Sequence, residues 1–200
     1  MTQPTHKDYA GAKLGMWLFL FSEMLLFGGL FLLYGVYLAR YPQEFTTASR
    51  HMHLFFGTLN TAILITSSML VAMALTAIQR NQRRLTLWLL GGTIFCAAVF
   101  MFNKYLEWSD EFGRGIYPNS PKLAAGPPGE SVFYGLYYLT VGLHGLHVLV
   151  GGTVLTVVAV RVWRGDVHAG DYIWLENGAL YWHLVDLFWI FIFPLYYLVL

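Results

Sequence analysis

The chain closes on Ala179–Leu200, "ALYWHLVDLFWIFIFPLYYLVL", and the reading of this stretch decides the fold. About 20 apolar residues are enough for a helix to cross the hydrocarbon of a bilayer. The run is continuously apolar rather than alternating, which argues against a strand of a membrane barrel. Yet His183 and Asp186 lie one helical turn apart near its start, flanked by Trp182 and Trp189. Ionisable groups are costly in lipid, so such residues face protein or water. The segment reads as a span packed among other spans, with His183 and Asp186 expected to pair through their spacing of three and to tie it to its neighbours near the inner surface.

Four further runs of spanning length precede it: Leu14–Ala39, Leu54–Ile78, Leu85–Leu106 and Val132–Val160. The expected fold is an all-α membrane protein, one five-helix domain over residues 1–200. Hydrophobic residues make up 57% of the chain and charged residues 12%, about half the charge of an ordinary soluble domain. The connections are "RYPQEFTTASRHMH", "QRNQRR", "WSDEFGRGIYPNSPKLAAGPPGES" and "RVWRGDVHAGDYIWLENG". The third is long, rich in Pro and Gly, and reads as an irregular loop. The N-terminal stretch lacks an A-x-A-type cleavage site and the first apolar run is too long for a signal peptide, so it reads as a retained span.

Lys7, Lys13, Arg80, Arg83, Arg84, Arg161 and Arg164 fall on one side of the spans, and Arg40, Arg50, Arg114 and Lys122 on the other. The basic bias predicts a cytoplasmic N-terminus and a periplasmic C-terminus. A net charge of +1 argues against a nucleic-acid partner. Cys96 is the single cysteine, which excludes a disulfide framework and a two-cysteine copper site.

Several polar residues fall inside the spans. Glu23 lies near the middle of the first, and reads either as a neutral, hydrogen-bonded carboxylic acid or as a proton-linked group. Asn60, Thr61, Ser67 and Ser68 in the second are suited to bonds between helices. Lys104 and Glu107 end the third and are expected to form an ion pair at the outer interface. His144 and His147 share a face of the fourth, where Gly142, Gly145 and Gly152 allow a close neighbour. Glu176, His183 and Asp186 open the fifth. Paired histidines on one helix are more often hydrogen-bonding groups than haem ligands, and His183 lies at a different depth from His144 and His147. Trp and Tyr at span ends read as an interfacial belt.

In order, the motifs are "WLFLFSE", "LNTAILITSS", "KYLEW", "GLHGLHVLVG" and "ENGALYWHLVDLFW". Together they resemble subunit III of the haem–copper oxidases over nearly the whole chain, in the five-span form common in bacteria. That form lacks the first two helices of the seven-span version, so its lipid-holding cleft does not carry over intact. By the resemblance, Glu23 matches the acidic residue of a Ser-Glu motif and Asn60 the Asn of an Asn-Thr motif. Glu107 matches the Glu of a Gln-x-x-Glu motif, with Lys104 at the Gln position. His144 and His147 match the paired His, and Glu176, Trp182, His183, Asp186 and Trp189 match the final-span signature. The Lys104 departure is also similar to a sister group associated with nitric oxide reductase.

The resemblance implies an accessory subunit of a respiratory oxidase in the bacterial inner membrane, with no catalytic, cofactor or metal site of its own. Haem and copper are expected in partner subunits. It would pack beside subunit I (with subunit II in the complex), contact membrane lipids, stabilise the active site and support proton uptake. An accessory protein of nitric oxide reductase stays open as an alternative, as does a free-standing membrane haem protein or proton-coupled transporter using His144, His147 and Glu23.

Overall fold

The computed structural model describes residues 9–199. Lys7 and Leu200 lie outside the described residues. Five helices are long and apolar enough to cross a membrane: α1 (Tyr9–Arg40), α3 (Leu54–Gln79), α4 (Arg83–Gly113), α6 (Pro128–Arg164) and α7 (Ile173–Tyr197). Two short helices lie in the connections, α2 (Pro42–Arg50) in the first and α5 (Pro121–Ala124) in the third, which reads from sequence as an irregular loop. In α2 the apolar spacing is local but complete. Phe45, Ala48 and Ser49 share one face and are buried, and the helix packs on α6. Pro42 and Pro121 occupy first-turn positions, where a missing N–H costs nothing. The Ser120 hydroxyl caps α5 by accepting from the Leu123 N–H at 3.2 Å.

The spanning helices run past their apolar cores. α4 continues from Leu106 to Gly113 and takes in Glu107, Asp110 and Glu111. α7 begins six residues before Ala179, at Ile173. Apolar length measures only the hydrocarbon crossing, whereas helical hydrogen bonding continues through the interface. His183 and Asp186 therefore fall near the middle of α7, not near its inner end as the sequence suggests.

Helices α3, α4, α6 and α7 form a ring in that order, with α7 packing back on α3, and α1 lies outside against α6 and α7. α1 buries Leu20, Phe27 and Tyr34, a single stripe at seven-residue spacing. Met16, Phe31, Tyr37 and Leu38 pack partly against the core beside this stripe, and most of the remaining apolar side chains face outward, as a helix with a lipid-facing side requires. α7 is the most enclosed, with Trp182, Val185, Trp189, Ile192 and Tyr196 at the centre of the packing.

Close approach to the fourth span rests on a glycine other than those the spacing suggests. A Cβ at Gly142, Gly145 or Gly152 would meet neighbours at ordinary distances of 3.5–4.0 Å. At Gly151 it would lie 2.8 Å from the Trp182 ring, so the six-membered ring of the indole packs directly against bare α6 backbone.

Candidate functional site

The polar side chains inside the bundle gather at two levels. The first crosses the middle of the helices. Glu23 on α1 and His147 on α6 meet at 2.8 Å between Oε2 and Nε2, and His147 Nδ1 lies 2.7 Å from the Leu143 carbonyl. The imidazole is thus held at both nitrogens, with its Nδ1–H donating to the carbonyl and Nε2 meeting the carboxyl. Glu23 is not isolated: its partner comes from a different span, and a proton can be exchanged across their contact.

On α3, Ser67 Oγ donates to Leu64 O at 2.7 Å and accepts from Trp182 Nε1 at 3.0 Å. Thr61 Oγ1 accepts from Trp189 Nε1 at 2.9 Å. Asn103 Nδ2 donates to Asn60 Oδ1 at 2.9 Å and joins α3 to α4. Trp182 and Trp189 are fully buried spokes between α7 and α3, not interfacial residues.

His183 and Asp186 do not form the pair their spacing suggests. His183 Nδ1 lies 2.6 Å from Ser68 Oγ on α3. Asp186 is 4% exposed and, among the described residues, neither carboxyl oxygen makes a hydrogen bond of normal geometry, the Ser67 and Ser68 hydroxyls being its polar neighbours. Helical spacing brings two side chains to one face, but a hydroxyl on the packed neighbour offers His183 a partner that its own helix does not. His144 is similar: among the described residues neither enclosed ring nitrogen has a hydrogen-bond partner, and the ring lies against Phe100 and Trp189.

The second level lies toward the C-terminal ends of α4 and α7. Lys104 Nζ contacts Glu107 Oε2 at 2.9 Å, Tyr197 OH at 2.5 Å and Tyr137 OH at 3.3 Å. Both tyrosine hydroxyls donate to Glu107 Oε1, Tyr137 at 2.9 Å and Tyr197 at 2.5 Å. Lys104 is 5% exposed and Glu107 is fully buried. The ion pair expected at the interface is an enclosed four-residue cluster that ties α4, α6 and α7 together. The ammonium also sits 5.0 Å from the Trp189 ring, a favourable cation–π placement. One turn beyond, Tyr138 OH lies 2.7 Å from buried Glu111 Oε2. Sequence reasoning missed Glu111, Tyr137, Tyr138 and Tyr197. Tyr196 and Tyr197, taken for belt residues, are buried. The available signal was the spacing of Lys104, Glu107 and Glu111, which puts three charges on one face of a packed helix and calls for polar partners opposite.

Glu176, at the start of α7, pairs with Lys13 of α1 at 2.8 Å in a partly exposed bridge. Among the described residues no group of three or more His, Cys, Asp or Glu side chains is arranged to hold a metal ion.

The sequence model of the family described as cytochrome c oxidase subunit III matches residues 2–199. The heme-copper oxidase subunit I+III of Aeropyrum pernix is 32% identical over 194 residues, which cover 92% of this chain and 22% of that protein. The cytochrome c oxidase subunit 3 of Thermostichus vulcanus is 32% identical over 200 residues, covering 96% of this chain and 89% of the relative. The cytochrome bo(3) ubiquinol oxidase subunit 3 of Pseudomonas aeruginosa is 25% identical over 193 residues, covering 96% and 87%. The chain thus spans about a fifth of the first relative and nearly nine-tenths of the other two.

Proposed function

The chain belongs to the subunit III family of the haem–copper oxidases, and from that premise we propose that it is the cofactor-free accessory subunit of a terminal oxidase in a bacterial inner membrane. It packs beside the catalytic subunit I, with its N-terminus in the cytoplasm. Haem and copper reside in the partner subunits. It stabilises the active site during turnover and supports proton uptake.

The observation that carries the reading is the relative whose name joins subunits I and III in one polypeptide, the segment similar to this chain being about a fifth of it. Joining the two in one polypeptide keeps them in one complex, which supports a place for this chain beside subunit I. The ties within the chain add support. The Lys104 cluster is satisfied by groups of this chain, which suits a structural support better than a site awaiting substrate. The test is a turnover time course of the complex with and without this subunit at matched haem content. Near-normal haem spectra followed by faster inactivation without it are expected, more so at high pH where proton supply limits. Inactivity from the first turnover would instead assign the chain a direct catalytic role.

Lys104, at a position where the oxidase motif has Gln, favours a second reading, an accessory protein of nitric oxide reductase. Purifying the tagged chain in mild detergent and identifying the large haem-bearing partner separates the two.

A further inference from the structure

A groove of ≈ 440 Å³ runs along the outside of the ring between α3 and α7, lined by Ile65, Ser68, Met69, His183, Asp186 and Leu187 among others. Its rims are apolar and exposed, Met69 to 56% and Leu187 to 44%, as on any lipid-facing surface. Its floor is not. His183 is held by Ser68 through Nδ1, and among the described residues its Nε2 makes no hydrogen bond. Asp186, enclosed just behind it, makes no hydrogen bond of normal geometry at either carboxyl oxygen among the described residues, with the Ser67 and Ser68 hydroxyls near it. Ser67, next to Ser68 on α3, spends its hydroxyl proton on Leu64 O and accepts from Trp182.

These groups fall near the middle of α3 and α7, a depth that water and lipid headgroups do not reach when acyl chains cover the surface. Acyl chains cannot hydrogen-bond, and an unsatisfied polar group in hydrocarbon is costly. The comparable groove between α4 and α6 is lined in its middle by Ala97, Ala98, Met101, Val148 and Leu149, and lipid suits it. The α3–α7 groove differs in needing a polar partner at mid-span.

We infer that the α3–α7 groove is where a transmembrane helix of the catalytic partner docks, presenting a hydroxyl or carboxamide side chain at mid-span to His183. Such a side chain donates and accepts, so it satisfies Nε2 in either imidazole tautomer. Apolar rims on both helices supply the packing surface around this polar contact, and small hydroxylated or amide residues are the usual glue between membrane helices. This rests on the reading of the chain as subunit III and adds which face meets the partner and which residue anchors it.

The test uses the complete complex purified with its lipids. A photo-crosslinking residue is introduced at Met69 or Leu187 on the groove rims, and at Phe95, on the outer face of α4, as a control. Crosslinks from the two rim positions to one haem-bearing polypeptide, with lipid alone from Phe95, are expected. His183→Leu should lower recovery of that polypeptide about three- to sixteenfold, the range that mid-membrane polar contacts give, and His183→Gln should restore most of it. Rim crosslinks to lipid only, or to a second copy of this chain, with the haem-bearing complex intact would overturn the docking face and leave the subunit III reading standing. Unchanged recovery with His183→Leu would likewise remove His183 as the anchor. Failure of the unmodified chain to recover any haem-bearing partner would remove both.

Discussion

Glu23 and His147 are 124 residues apart in the chain and 2.8 Å apart in the bundle, and their contact is the polar tie between α1 and α6. Hydrogen bonds between membrane helices are worth about 0.6 kcal/mol on average and about 1.7 at most. Glu23→Ala and His147→Ala should each lower the detergent melting temperature. The double variant should lose less than the sum of the two, by a coupling in that range. Strict additivity would mean that the pair contributes nothing as a pair. Glu23→Gln, which keeps an oxygen and a donor toward the imidazole, should be much milder than Glu23→Ala.

The Lys104 cluster predicts an asymmetry. Lys104→Met leaves Glu107 buried with only the two tyrosine hydroxyls, and breaking a buried pair costs about 3–5 kcal/mol. The double change Lys104→Met with Glu107→Leu removes both charges together and should recover much of that loss, since apolar replacement of a whole buried pair is often close to neutral. A double variant as unstable as the single in a thermal series would show that the tyrosine contacts, not charge pairing, dominate the cluster.

At Gly151 and Gly152 neighbouring glycines should behave oppositely. Gly151→Ala puts a methyl 2.8 Å from the Trp182 ring, which is anchored by its bond to Ser67. Overpacking of this kind costs about 1–3 kcal/mol. Gly152→Ala meets Ala97 at 3.8 Å, an ordinary contact, and should be neutral or slightly stabilising. Melting temperatures of the two variants, measured side by side, check the register of α6 against α7 directly.

Asp186 gives a prediction of unusual sign. Its carboxyl is enclosed and, among the described residues, makes no hydrogen bond of normal geometry, with the Ser67 and Ser68 hydroxyls near it, and an unsatisfied buried polar group costs about 1–3 kcal/mol. Asp186→Leu should therefore leave the free chain as stable as before or more so. A clear drop in its melting temperature would mean that the carboxyl has a partner within the chain after all.

The five spans were legible because apolar length alone identifies them, and their order follows from the chain. The helix ends were not, because Glu107, Asp110 and Glu111 extend α4 with residues that a hydropathy criterion counts against a span. The polar residues at mid-depth were legible as a set: Asn60, Ser67, Ser68, Glu23 and His147 all bond to other helices. Their partners were not. Spacing along one helix suggested His183 with Asp186, while the packed arrangement gives His183 to Ser68, a choice set by which faces of α3 and α7 meet. The tyrosines of the Lys104 cluster were hidden for a related reason. A tyrosine near the end of a span looks the same in sequence whether its hydroxyl reaches headgroups or turns inward to a carboxylate.

Helix α1 packs on α6 and α7, the last two spans, and not on α3 or α4. Of these five spans the earliest made is therefore the one whose partners are made last. While α3 and α4 associate as a hairpin during synthesis, α1 has no surface to settle on and must remain in the bilayer as a detached anchor. Its stripe of Leu20, Phe27 and Tyr34, and the Glu23 carboxyl, stay exposed to lipid until His147 and then α7 arrive. Biogenesis should thus end with α1 swinging in to close the bundle. A chain stalled before Pro128, ahead of both α6 and α7, should show α1 open to membrane-soluble probes and to proteolysis at the α1–α3 connection, and release of the full-length chain should protect both at once.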